Sequence, residues 1–111
     1  MELPERVIHA FRHPDHEIYL SAASAWEIAL KEARGRLFLP EPSPQFVTAE
    51  RTAHGIAPLP IDEESALHLS RLPALHRDPF DRILVSQAIV HGLTILTPDA
   101  LVTQYPARTL W

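Results

Sequence analysis

Asp78-Pro79-Phe80-Asp81-Arg82-Ile83-Leu84-Val85-Ser86-Gln87-Ala88-Ile89-Val90-His91-Gly92-Leu93-Thr94-Ile95-Leu96-Thr97 decides how this chain folds. Its first half opens with a capping aspartate and a proline at the first helical position, and a glycine closes it. A helix over 78–91 follows. Ile83, Leu84, Val85, Ala88, Ile89 and Val90 spread around most of its circumference, so it should be packed on more than one side. After Gly92 the β-prone run Thr94–Thr97 reads as a strand, which makes the segment a helix-to-strand unit of an α/β protein.

The same alternation extends in both directions. Upstream, Leu3 to Phe11 reads as a short helix ended by Pro14-Asp15, and Glu17 to Ser21 as a buried strand. Ala22 to Ala33, rich in Ala, Leu, Glu and Lys, reads as a helix stopped near Gly35. A proline-broken loop over Leu37–Pro44 leads to a helix from Pro44 to His54, and Ile56–Pro60 reads as a strand. Asp62 to Ser70 forms a helix with an acidic first turn, and Leu72–Arg77 is a loop. Downstream come a helical turn over Pro98–Val102 and a strand over Arg108–Trp111. Alternating helices and strands imply parallel pairing and a three-layer α/β/α domain around a parallel central sheet.

Bulk properties narrow the function. At 111 residues and 46% apolar content, the chain is expected to form one domain with a modest core. It has no cysteine, so neither a disulfide framework nor a thiolate metal site is available. With no secretory pattern at the N-terminus, that suits a cytoplasmic protein. The net charge of −4 argues against general nucleic-acid binding, yet not against a metal-assisted enzyme acting on nucleic acid. With only three glycines there is no P-loop or dinucleotide turn.

Ligands in open sheets sit beyond the carboxyl ends of strands. Three carboxylates follow expected strands there: Glu27, Asp81 and Asp99. Each has an ordinary alternative. Asp99 could belong to a helix start with Thr97 as cap, and Glu27 could pair with Lys31 one turn on. Asp81 could complete a capping box with Asp78, but two aspartates between Arg77 and Arg82 exceed what a cap requires. Hard oxygen donors without cysteine suit Mg2+ or Mn2+, ions that polarise phosphoryl oxygens and activate water. The histidines read as surface or loop residues, except His76, which precedes the acidic turn.

The run Ile18-Tyr19-Leu20-Ser21-Ala22-Ala23-Ser24-Ala25-Trp26-Glu27-Ile28 closely resembles the second strand and following helix of PIN-domain toxins of the VapC type. So do His76-Arg77-Asp78-Pro79-Phe80-Asp81-Arg82, Leu93-Thr94-Ile95-Leu96-Thr97-Pro98-Asp99 and the terminal Leu110-Trp111. The resemblance implies a PIN fold, dependence on Mg2+ or Mn2+, endoribonuclease activity on RNA and inhibition by a cognate antitoxin protein. It also makes a homodimer an expectation. Carried over by position, Glu27, Asp81 and Asp99 match acidic metal-site residues of the catalytic centre, and Asp78 and Thr97 match accessory ones.

The chain departs from the family pattern at its start. Members begin with an apolar strand that ends in an aspartate and lies in the middle of the sheet. Residue 1 here stands in what resembles the second helix, so the domain over 1–111 is expected to be N-terminally truncated. Neither Glu2 nor Asp15 follows a strand, so neither substitutes for that aspartate. Without a central strand, both neighbours would carry unpaired backbone groups, with self-association or low stability the consequence. Three readings follow: a metal-dependent nuclease toxin whose activity the lost aspartate puts in question, a catalytically dead remnant that binds antitoxin, or a structural α/β domain whose acids are caps.

Overall fold

The computed structural model describes residues 3–75 and 77–111. Its elements run α1 (Glu5–Arg12), β1 (Tyr19–Ser21), α2 (Ala22–Ala33), α3 (Ser43–Ala53), β2 (Ala57–Leu59), α4 (Glu63–His68), a 3-10 turn (Leu69–Arg71), α5 (Pro79–His91), β3 (Thr94–Leu96), α6 (Ala100–Thr103) and β4 (Arg108–Leu110). The α/β class and the parallel pairing expected from sequence are both present. The four strands form two separate ladders of two strands each, rather than one sheet. β1 pairs with β2, Tyr19 opposite Ala57, and β3 pairs with β4, Thr94 opposite Arg108. Ladders this short are not self-sustaining and depend on the helices that cover them. Among the described residues, no helix is long and apolar enough to cross a membrane.

Two compact units result. One consists of Glu17–Pro60; the other combines the residues up to His16 with Ile61–Trp111.

In the Glu17–Pro60 unit, β1 leads straight into α2. Ser21 is the last strand residue and also the helix cap, its hydroxyl accepting from the Ala23 N–H at 3.1 Å. A side-chain acceptor at that position satisfies a backbone donor the helix itself cannot. α3 lacks a capping side chain of its own, since Pro42 stands before it. Glu32, from α2, supplies the missing acceptor by bonding the Ser43 N–H at 3.0 Å. Tyr19 is 36% exposed, so β1 is not the fully buried strand the sequence suggested. A cleft of about 130 Å3 in this unit is lined by apolar side chains including Leu20, Ile28, Phe46, Val47 and Ile56.

The second unit is built on α5. Ile83, Val85, Ser86, Gln87 and Ala88 are all buried, and five residues so placed cover nearly a full turn of the helix. Val85 joins Leu72, Val102 and Tyr105 in the core, with Leu69, Ile89, Ile95 and Ala107 packed against it. Asp78 caps the helix by accepting from the Phe80 N–H at 2.9 Å, with Pro79 first in the helix. At the other end Gly92 takes a left-handed conformation, φ +66°, its N–H bonding Ala88 O. That conformation turns the chain directly into β3.

α4 and α5 are stitched side by side. Ser86 Oγ donates to Ser65 O, joining α5 to α4. Asp62 caps α4, accepting from Ser65 N–H at 3.3 Å and from Ser65 Oγ at 2.6 Å, and it pairs with His91 Nε2 at 2.9 Å. The Ser65 hydroxyl first, and His91 second, hold the Asp62 carboxyl well below the ordinary carboxylate range.

Two outcomes follow for stability. A Gly92→Ala substitution meets no close contact, the nearest atom being Arg108 Nη2 at 3.9 Å. Its cost is therefore backbone strain, about 1–2 kcal/mol by urea denaturation. Asp62 has a depressed folded-state pKa, so its stabilising contribution is present above the unfolded-chain value, about 3.9, and is lost as pH falls through the folded value. The stability gap between wild type and Asp62→Asn should be constant near neutrality and shrink below about pH 4 in denaturation series.

Candidate functional site

The acidic residues singled out by the sequence occupy both units. Asp81 lies in the first turn of α5, half-buried, one helical turn after the capping Asp78. Asp99 follows the carboxyl end of β3 and is exposed. α5 and β3 are joined by only two residues and pack together, so they run in opposite directions. The start of α5 and the exit of β3 therefore face the same end of this unit, and Asp81 and Asp99 come with them.

The local chemistry at Asp99 differs from the sequence reading. Thr97 does not cap α6; Asp99 does, its Oδ1 accepting from the Leu101 N–H at 2.9 Å. Thr97 Oγ1 accepts from the Asp99 N–H at 3.1 Å, one step earlier. The helical turn starts two residues later than expected because Thr97 N–H stays in the sheet, bonding Leu110 O at 3.1 Å. Thr97 thus fixes the backbone of Asp99, and one Asp99 oxygen takes part in the cap.

Glu27 sits in the second turn of α2, in the Glu17–Pro60 unit. Its carboxylate lies 3.5 Å from Lys31 Nζ, the one-turn ion pair that was the plain alternative for it. Both side chains are partly solvated, 33% and 55% exposed, where such pairs contribute little to stability. Among the described residues, no three His, Asp or Glu side chains form a group that could hold a metal ion. His76 lies outside the described residues.

Two arrangements were not foreseen. Arg82, next to Asp81, turns its guanidinium onto protein acceptors: Nη1 bonds Pro73 O at 3.0 Å and the Tyr105 hydroxyl at 3.2 Å, and Nη2 bonds Leu69 O at 3.2 Å. No short-range pattern marks these partners. The second lies at the end of α1, where His9 stands four residues before His13, the residue that follows the helix. Their rings are 6.0 Å apart, and His13 stacks on His16 at 4.4 Å. His13 Nδ1 accepts from the Asp15 N–H at 3.1 Å, and His16 Nδ1 donates to Ala10 O at 2.7 Å.

Comparison with known proteins places this arrangement in a family. A model of the PIN domain matches residues 2–106, nearly the whole chain and both units. Ribonuclease VapC16 of Mycobacterium tuberculosis is 43% identical over 53 residues, which is 48% of this chain and 38% of that protein. The aligned stretch thus spans well under half the length of that relative. A family match over this much of the sequence, with parallel ladders flanked by helices and acidic turns at a strand exit, means that the chain belongs to the PIN-domain family.

Proposed function

We propose that this chain is the ribonuclease domain of a VapC-type toxin, a metal-dependent endoribonuclease paired with a cognate antitoxin. The observation that carries the proposal is the coincidence of the PIN match with Asp81 and Asp99 at one end of the α5–β3 unit. The similarity to Ribonuclease VapC16 supplies the substrate class.

Asp81 and Asp99 are the residues proposed to hold the ion, Mg2+ or Mn2+, and the family resemblance adds Glu27 by its position in the sequence. Their hard oxygen donors fit it, and an ion of this kind is commonly held by one or two carboxylates while keeping several waters. Asp81 and Asp99 offer that minimum within one unit. When bound, the ion would supply Lewis-acid polarisation of a phosphoryl oxygen and an activated water. The protein's own part is positional. Asp78 fixes the first turn of α5, from which Asp81 projects. Thr97 holds the Asp99 backbone through its N–H, and the Asp99 cap on Leu101 sets the carboxylate's direction.

A ribonuclease assay of the chain on structured and unstructured RNA tests this reading. Cleavage should require Mg2+ or Mn2+ and stop in EDTA. Asp81→Asn and Glu27→Gln should each lower the rate by about 100-fold, the scale on which removing a charge-stabilising group acts. Cleavage that persists in EDTA, or in Asp81→Asn at the wild-type rate, would contradict the reading.

A further inference from the structure

The arginine beside Asp81 invites one assignment, a phosphate clamp, because a guanidinium matches phosphate in two-pronged geometry. The structure points elsewhere. Arg82 donates to Leu69 O at the start of the 3-10 turn, to Pro73 O in the loop before α5, and to the Tyr105 hydroxyl beyond α6. The acceptors lie before one acidic turn and after the other. Leu69 and Pro73 precede the Asp78–Asp81 turn. Tyr105 follows the short helix that Asp99 caps, and its N–H bonds back to Val102 O at 3.1 Å. Tyr105 is 3% exposed and packs with Leu72, Val85 and Val102 in the core. Its ring is thereby fixed, and its hydroxyl can carry a constraint.

We propose that Arg82 is a positioning residue, holding the Asp81 turn of α5 and the Asp99 turn of α6 in one register through Tyr105, Pro73 and Leu69. The proposal rests on the reading of Asp81 and Asp99 as metal-holding residues. A planar fork reaching two carbonyls and a hydroxyl fixes direction as well as distance. Lysine, a single compact charge on a flexible stem, cannot reproduce that geometry. Residues that orient metal-holding groups typically cost 10–100-fold in metal affinity when changed.

The test uses two readouts on wild type, Arg82→Gln, Arg82→Lys and Tyr105→Phe. Manganese affinity is read from the free-ion signal in electron paramagnetic resonance. Hydrogen exchange is followed at the amides of Phe80 and Leu101, which bond Asp78 and Asp99, and at Leu93, which bonds Ala88 O at the far end of α5. Arg82→Gln should weaken manganese binding by about tenfold or more, with Arg82→Lys intermediate and Tyr105→Phe smallest. The Phe80 and Leu101 amides should exchange faster in parallel, while Leu93 keeps its protection. Where Arg82→Gln fails to fold, Tyr105→Phe carries both readouts, because it removes one hydroxyl and leaves the ring in the core.

An unchanged affinity in a folded Arg82 variant, or unchanged exchange at both acidic turns, overturns the proposal. If folded wild type binds no manganese, the metal-site reading falls separately, and exchange alone decides whether Arg82 holds the two turns.

Discussion

The burial of α5 on nearly all sides is the constraint from which the rest of its unit follows. A helix with Ile83, Val85, Ser86, Gln87 and Ala88 all out of water must be covered by other elements along its length. α4 covers one side, tied by Ser86 to Ser65 O and by His91 to Asp62. The segment of Val102 and Tyr105 covers another, and β3 a third through Ile95. Buried polar groups in that set are paired: among the described residues no buried side-chain nitrogen or oxygen lacks a partner. An unpaired group there would cost roughly 1–3 kcal/mol, so the hydroxyls of Ser65 and Ser86 specify the packing rather than weaken it.

Placing α5 places its ends. The Gly92 turn sends the chain back along the helix as β3, so the residues leaving β3 return toward the start of α5. Asp81 and Asp99 share one end of the unit for that reason, without any direct attraction between them. Like charges near each other are costly unless something offsets them. The proposed metal site would call for rigid supports, which the caps at Asp78 and Asp99, the Thr97 contact and the Arg82 fork would supply.

Much of this was legible in the sequence because it is local. Ala22–Ala33 emerges with the expected bounds, since Ser21 is a good cap and Arg34-Gly35 a good stop. The capping role of Asp78 was equally plain. What failed was non-local or competitive. Thr97 looked like a helix cap, but a sheet bond to Leu110, thirteen positions further along the chain, held it in the strand and passed the cap to Asp99. The role of Arg82 depends on Leu69, Pro73 and Tyr105, which share no spacing with it. The α/β class with parallel strands was legible, while the division of those strands into two ladders was not. The four-residue spacing of His9 and His13 is local and legible in the sequence.

The central claim is that Asp81 and Asp99 hold a divalent ion at the start of α5 and the exit of β3. Amide line broadening by substoichiometric Mn2+, followed residue by residue in a 15N spectrum, tests it most directly. Broadening is expected to centre on residues 78–82 and 97–101. Broadening centred instead on the histidines of α1 and the turn after it, or none at millimolar Mn2+, would contradict it.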